Sequence, residues 1–110
     1  MLLAFSVAPS GIPADAAYAN EDADGSVHDA VAAAVRVVRD SGLPNKTDSM
    51  FTTIEGEWDE VFAVVKRATD EVGKYGSRVS LVIKADIRPG FSGELTAKVE
   101  RLEDALGDRS

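Results

Sequence analysis

Three observations predict an α+β fold built on a four-stranded antiparallel sheet. Short apolar runs alternate with longer runs whose apolar residues recur at helical spacing, in the order β-α-β-β-α-β-α. The segment Arg78 to Arg88 (RVSLVIKADIR) alternates strictly, with Val79, Leu81, Ile83, Ala85 and Ile87 on one face and a mostly polar row on the other. Gly and Pro punctuate the joins, at Pro9, Gly42, Gly56, Gly73, Gly76 and Pro89-Gly90.

The elements follow in order. Leu2 to Ala8 is an apolar run ended by Pro9 and predicts the first strand. Pro9 to Gly25 is a long acidic loop, a length that is usually functional or mobile. Ser26 has the chemistry of an N-cap, and Val27, Val31, Ala34, Val35 and Val38 recur as the buried stripe of a first helix, stopped at Ser41-Gly42. Two short strands are expected near Lys46 to Ser49 and Met50 to Glu55, with a turn between them that the pattern does not place. Glu57, Asp59 and Glu60 load the start of a second helix with charge that suits its dipole. Its stripe is Trp58, Val61, Phe62, Val65, Ala68 and Val72. A last helix is expected from about Ser92 to Leu106, with a narrow edge of Leu95, Val99, Leu102 and Leu106. Two crossover helices can both cover one face of such a sheet. The result is the split βαβ, ferredoxin-like βαββαβ arrangement with an extra C-terminal helix and one open sheet face.

Composition sets limits. The 110 residues fit one domain spanning 1–110, long enough to bury about two thirds of its unfolded surface. There is no cysteine and a single His28, so thiolate sites, a cysteine nucleophile and a multi-histidine metal site within one chain are excluded. A net charge of -7 repels nucleic-acid phosphates and anionic membranes, and neither is expected as a partner. No apolar run approaches the ~20 residues that span a bilayer. Ala17-Tyr18-Ala19 has the form of a signal-peptidase site, but the first basic residue is Arg36, so the cytoplasm is the expected location.

The usual chemical motifs fail. Asn20 to Ser26 resembles the start of a calcium loop, yet Asn20 stands where aspartate is wanted and Val31 where glutamate is wanted, leaving a solvated acidic loop. His28 would have to serve any catalytic triad and has no specified partner. Gly90 to Glu94 could offer helix N–H groups to an anion, a weak signal alone. No enzyme, metal or cofactor is expected.

The polar strand pair is the informative region. By period two, Met50, Thr52 and Ile54 share one row, facing the core, and Phe51, Thr53 and Glu55 share the other. A core-side Thr52 hydroxyl needs a partner, because burying it unpaired costs about 1–3 kcal/mol. Backbone, water or a ligand could supply it. The sharper alternative is a small pocket bordered by Ser6, Asp48, Ser49 and Thr52 and floored by Phe5 or Phe51, suited to a flat heteroaromatic ligand.

The segments AFSVAPSG (Ala4 to Gly11), SVHDAVAAAV followed by SGL (Ser26 to Leu43), TDSMFTTIEGEWDEVFAVVK (Thr47 to Lys66) and RVSLVIKADIR resemble the small thiamine-binding, YkoF-like proteins. The most specific parts are Met50-x-Thr52-x-Ile54-Glu55-Gly56 and Lys84-x-Asp86-x-Arg88. The resemblance implies a ferredoxin-like fold, homo-oligomers formed through open sheet faces as a dimer of dimers, and binding of thiamine or its hydroxymethylpyrimidine moiety without catalysis. It implies a pocket of Ser49, Met50 and Thr52 with Ser6. In that setting Asp48, Ser49 and Thr52 would meet the pyrimidine, and Glu55 would balance the thiazolium charge. The long acidic loop and Phe51 depart from the family pattern and bear on pocket size. The competing expectation is a ligand-free structural or regulatory homo-oligomerisation module, drawn from the open sheet face and the last helix.

Overall fold

The computed structural model describes residues 1–19 and 28–107, so the Asn20 to Ser26 segment, with its expected N-cap, and Val27 lie outside the described residues. The elements are β1 (Leu2–Ser10), α1 (His28–Asp40), β2 (Asn45–Thr47), β3 (Thr52–Glu55), α2 (Trp58–Val72), β4 (Arg78–Asp86) and α3 (Glu94–Gly107). Short 3₁₀ turns occupy Ala16–Tyr18 and Gly73–Tyr75. The strands form one antiparallel sheet in the order β2-β3-β1-β4, the ferredoxin-like topology.

β1 is the axis of the sheet. Leu2 to Phe5 pair with β3 on one side, and all nine residues pair with β4 on the other. Pro9, expected to end the strand, lies inside it opposite Val79. Proline is tolerated there because β1 has no β3 neighbour beyond Phe5 and is locally an edge. The loop is therefore shorter at its start than its composition suggests.

Leu3, Phe5 and Val7 alternate inward from β1 and meet Ile54 of β3. Ala30, Ala34 and Val38 of α1 and Val61, Val64, Val65, Ala68 and Val72 of α2 cover them. Alanine and valine keep the helix layer thin, so both helices approach the sheet and each other closely. Gly42 closes α1 with φ 78, a backbone angle glycine adopts without strain.

Three expectations about the core are corrected. Val31 of α1 is 41% exposed, and alanines take the central positions of that helix. Trp58 is 53% exposed and stacks on Phe62 at 5.3 Å, because both sit on the flank of α2 rather than beneath it. The inward row of β4 is correctly oriented, with Ile83 opposite Phe5 and Leu81 opposite Val7. Its members are nevertheless half-exposed, because β4 is an edge strand and the helices centre on β1.

The second sheet face is open. It carries Ala4, Ser6 and Ala8 of β1 and Ser80, Val82 and Lys84 of β4. At one end of this face, α3 is fastened by Glu55. The Glu55 carboxylate accepts the backbone N–H of Glu94 at 2.8 Å and of Leu95 at 3.4 Å. The glycine-bearing junction does bind an anion, then, and the anion is the chain's own glutamate. Arg88 and Arg101 close around the Glu94 carboxylate at 3.5 and 2.9 Å, and Arg88 lies 3.6 Å over the Phe91 ring. Among the described residues, no helix is long and apolar enough to cross a membrane.

Two outcomes follow for stability. Ile54→Ala removes a fully buried side chain and should lower urea stability by about 2–5 kcal/mol. Glu55→Ala removes the acceptor for two N–H groups of α3. Amide exchange along α3 should accelerate while core amides stay protected; unchanged exchange in α3 would refute the fastening role.

Candidate functional site

The length mismatch between β1 and β3 creates the site. β3 starts at Thr52, opposite Phe5, while β1 runs on for five more residues. The place a longer β3 would fill is a cleft of about 210 Å³. Phe5, Ser6, Val7 and Ala8 of β1 form one side, α1 contributes Val31, Ala34 and Val35, and the chain from Thr47 to Thr52 closes the end.

Asp48 organises that closing turn. Its Oδ1 accepts the N–H groups of both Met50 and Phe51 at 2.8 Å, and its own N–H donates to the Phe51 carbonyl at 2.9 Å. The turn is therefore a four-residue one, Asp48 to Phe51, and Met50 belongs to it rather than to a strand. Met50 is 72% exposed at the rim, which corrects its expected inward position. The N–H groups of Phe51 and then Met50 hold the Asp48 carboxyl below its ordinary value of 3.8, slight desolvation opposes them, and Lys46 adds to the lowering. Asp48 is thus a fixed negative charge at the cleft mouth.

Thr52 is buried, and its hydroxyl lies 3.3 Å from that of Thr47 across the β2–β3 pair. This supplies the partner that burial demands. Two hydroxyls share one hydrogen between them, so the pair keeps a second O–H for an acceptor in the cleft. Ser49 lies in the turn. Ser6 lines the cleft along the free edge of β1, while its position opposite Val82 directs its side chain to the open sheet face.

Four of the six expected site residues, Asp48, Ser49, Met50 and Thr52, come together at the closing end of the cleft, and Ser6 borders it from β1 with its side chain turned to the open sheet face. Glu55 does not join them. It sits on the other row of β3, with its carboxylate occupied by the α3 amides. Sequence reasoning missed Thr47, whose signal was its cross-strand position opposite Thr52 on the same face. It also missed Val31, Ala34 and Val35, which helical periodicity assigns to the core and only the docking of α1 aims at the cleft. His28 sits on the surface, 3.7 Å from Asp29. Among the described residues, no group of three or more metal-ligating side chains comes together.

The chemistry is apolar walls, an exposed carboxylate and a hydroxyl pair. That combination can stack a small flat ring and hold it through one N–H donor and one ring acceptor.

A family model described as thiamine-binding protein matches residues 4–103. The chain is 50% identical over 107 residues to UPF0045 protein Mb1933 of Mycobacterium bovis, covering 96% of this chain and 94% of that protein. Among solved structures, a domain of unknown function, DUF77, from Bacillus cereus superposes with a TM-score of 0.70 at 31% identity, covering 89% of this chain and 85% of that one. Hypothetical protein MJ1052 of Methanocaldococcus jannascii superposes with a TM-score of 0.74 at 25% identity over 93% and 94% of the two chains.

Substituting Asp48→Ala should release the turn, with faster exchange of the Met50 and Phe51 amides and no change in the core. The pH dependence has a definite sign. A carboxyl lowered on folding contributes above its unfolded pKa, so turn protection should hold from neutral pH to about pH 4 and fall only below it. Loss of protection already at pH 6 would contradict this assignment.

Proposed function

The chain belongs to the thiamine-binding protein family, and we propose that it binds thiamine, or the hydroxymethylpyrimidine portion of it, in the β1–β3 cleft as a non-catalytic cytoplasmic carrier, buffer or sensor. The carrying observation is the match between cleft and ring. At about 210 Å³ the cleft is smaller than the roughly 300–1,000 Å³ of sites for drug-sized ligands. It therefore suits one heteroaromatic ring and not two joined rings.

In this reading the aminopyrimidine lies against Phe5 and Phe51 beneath Val31 and Val35. Its amine donates to the Asp48 carboxylate, and the Thr47/Thr52 hydroxyl pair donates to a ring nitrogen. The thiazolium, if present, extends past Ser49 and Met50 into solvent. There Asp48, and not the distant Glu55, is the nearest of the expected negative groups. The acidic charge of the whole chain favours a cationic ligand and needs no further counter-ion.

We further propose that the protein works as a homo-oligomer, a dimer of dimers. The uncovered sheet face and the exposed Val99, Leu102 and Leu106 of α3 support association. The same surfaces favour the second reading, an oligomerisation module without a ligand. Calorimetry separates the two. Thiamine and hydroxymethylpyrimidine should both give saturable heat, and Thr52→Val should weaken binding by about tenfold, the equivalent of one hydrogen bond of about 1.4 kcal/mol. No heat with either compound at millimolar concentration would leave only the oligomerisation module.

A further inference from the structure

Three aromatic side chains stay in solvent near the start of β1. Trp58 is 53% exposed and Phe91 52%, and Phe62 stacks against Trp58. Ile87, in the same region, is also about half exposed. Rings of this size stabilise a fold most when buried, so a cluster of them left at the surface points to a contact made there. Trp58, Ile87 and Phe91, with Met1, line a hollow of about 210 Å³, and Glu57 and Arg88 add one charge of each sign to its walls. The Met1 amino group is already taken up by the Gly56 carbonyl at 2.8 Å. The β1–β3 cleft lies beyond Phe5, toward the other end of the same strand, and the two spaces share no lining residue.

Both charges are held in place, and among the described residues they do not pair with each other. Glu57 is fixed by the capping box at the start of α2, where its N–H donates to Glu60 Oε1 at 3.0 Å. A carboxylate so placed still has room for further donors. The Arg88 guanidinium lies 3.6 Å over the Phe91 ring, which sets its plane. Its one ion-pair contact is a long one, 3.5 Å to Glu94, a carboxylate that Arg101 holds more closely at 2.9 Å. Most of the guanidinium N–H groups are therefore left for a further acceptor. A lone anion in this hollow would meet Glu57, and a lone cation would meet Arg88. A molecule carrying both charges finds a partner for each. Phe62 covers one face of the Trp58 indole, and the other face is free to take a cation.

We propose that this hollow binds a small zwitterion, an amino acid or its N-methylated betaine. The ammonium group lies against the Trp58 indole beside Glu57, and the carboxylate takes the Arg88 fork. The volume admits one small molecule and not a drug-sized one. The site is separate from the β1–β3 cleft, so the inference goes beyond the thiamine reading and stands without it.

Trp58 is the chain's only tryptophan, so indole fluorescence reads this hollow and not the cleft. Glycine betaine and L-valine, titrated separately into the intact chain, should move the emission saturably to shorter wavelength as water leaves the indole. The tighter of the two identifies the form of the ammonium group. Tetramethylammonium chloride and sodium acetate carry one charge each and should bind at least about tenfold more weakly, the loss of one charge-assisted contact. Glu57→Gln keeps an amide oxygen for the helix cap and should weaken the zwitterion about tenfold with an unchanged far-UV spectrum. Arg88→Lys keeps the charge, loses the planar fork and should weaken it as well. Three results would overturn the proposal: no saturable shift with either zwitterion, tetramethylammonium binding as tightly as the betaine, or wild-type affinity in Glu57→Gln.

Discussion

Beyond Phe5, β1 has a hydrogen-bonded neighbour on one side only, and most of what is distinctive about this molecule follows from that mismatch. While both neighbours are present, the strand buries Leu3 and Phe5 completely or nearly so. Once β3 is gone, the strand continues with one free edge, admits Pro9, and leaves a volume that neither the helices nor the turn fills. Filling it with a longer β3 would give a better-packed sheet and no cleft. The site is thus made by omission in a part of the sheet whose other side is secured by a full-length pairing with β4.

Two carboxylates from neighbouring positions in the chain hold the two ends of this arrangement. Asp48 binds the amides of its own turn and shapes the cleft mouth. Glu55, on the opposite row of the sheet, binds the amides at the start of α3. Each satisfies N–H groups that would otherwise lack a partner, and each is effective because backbone amides point at a fixed negative charge. Asp48 lies at the surface and stays available to a ligand. Glu55 is enclosed and is structural.

The protomer divides into a well-covered half and an uncovered one. On the helix side, alanine and valine give close packing around β1. On the other side, a small-residue sheet face and an apolar helix edge are both left in solvent. The relatives in Mycobacterium bovis and Bacillus cereus share the sequence or the fold over most of their length.

Much of this was legible beforehand. Alternation in Arg78 to Asp86, the helical stripes and the glycine stops identified the four strands and three α-helices of the described residues, though not the 3₁₀ turns, because local backbone preference and one-sided burial act within a few residues. Period two placed Thr52 and Ile54 inward and Glu55 on the other row, and that split holds. The misplaced residues share a cause. Met50 left its strand because Asp48 gathers two amides into a turn, and Trp58 and Val31 stayed exposed because burial depends on what lies opposite. Glu55 was expected at the ligand and instead caps the start of α3, accepting the N–H of Glu94, 39 residues away in sequence. The sequence by itself determined the elements, their inward rows and the polar character of the β2–β3 pair. Only the tertiary structure decided where β3 stops along β1, which hydroxyl meets Thr52, and which of the two carboxylates faces the cleft, because each depends on contacts between distant segments that no local pattern encodes.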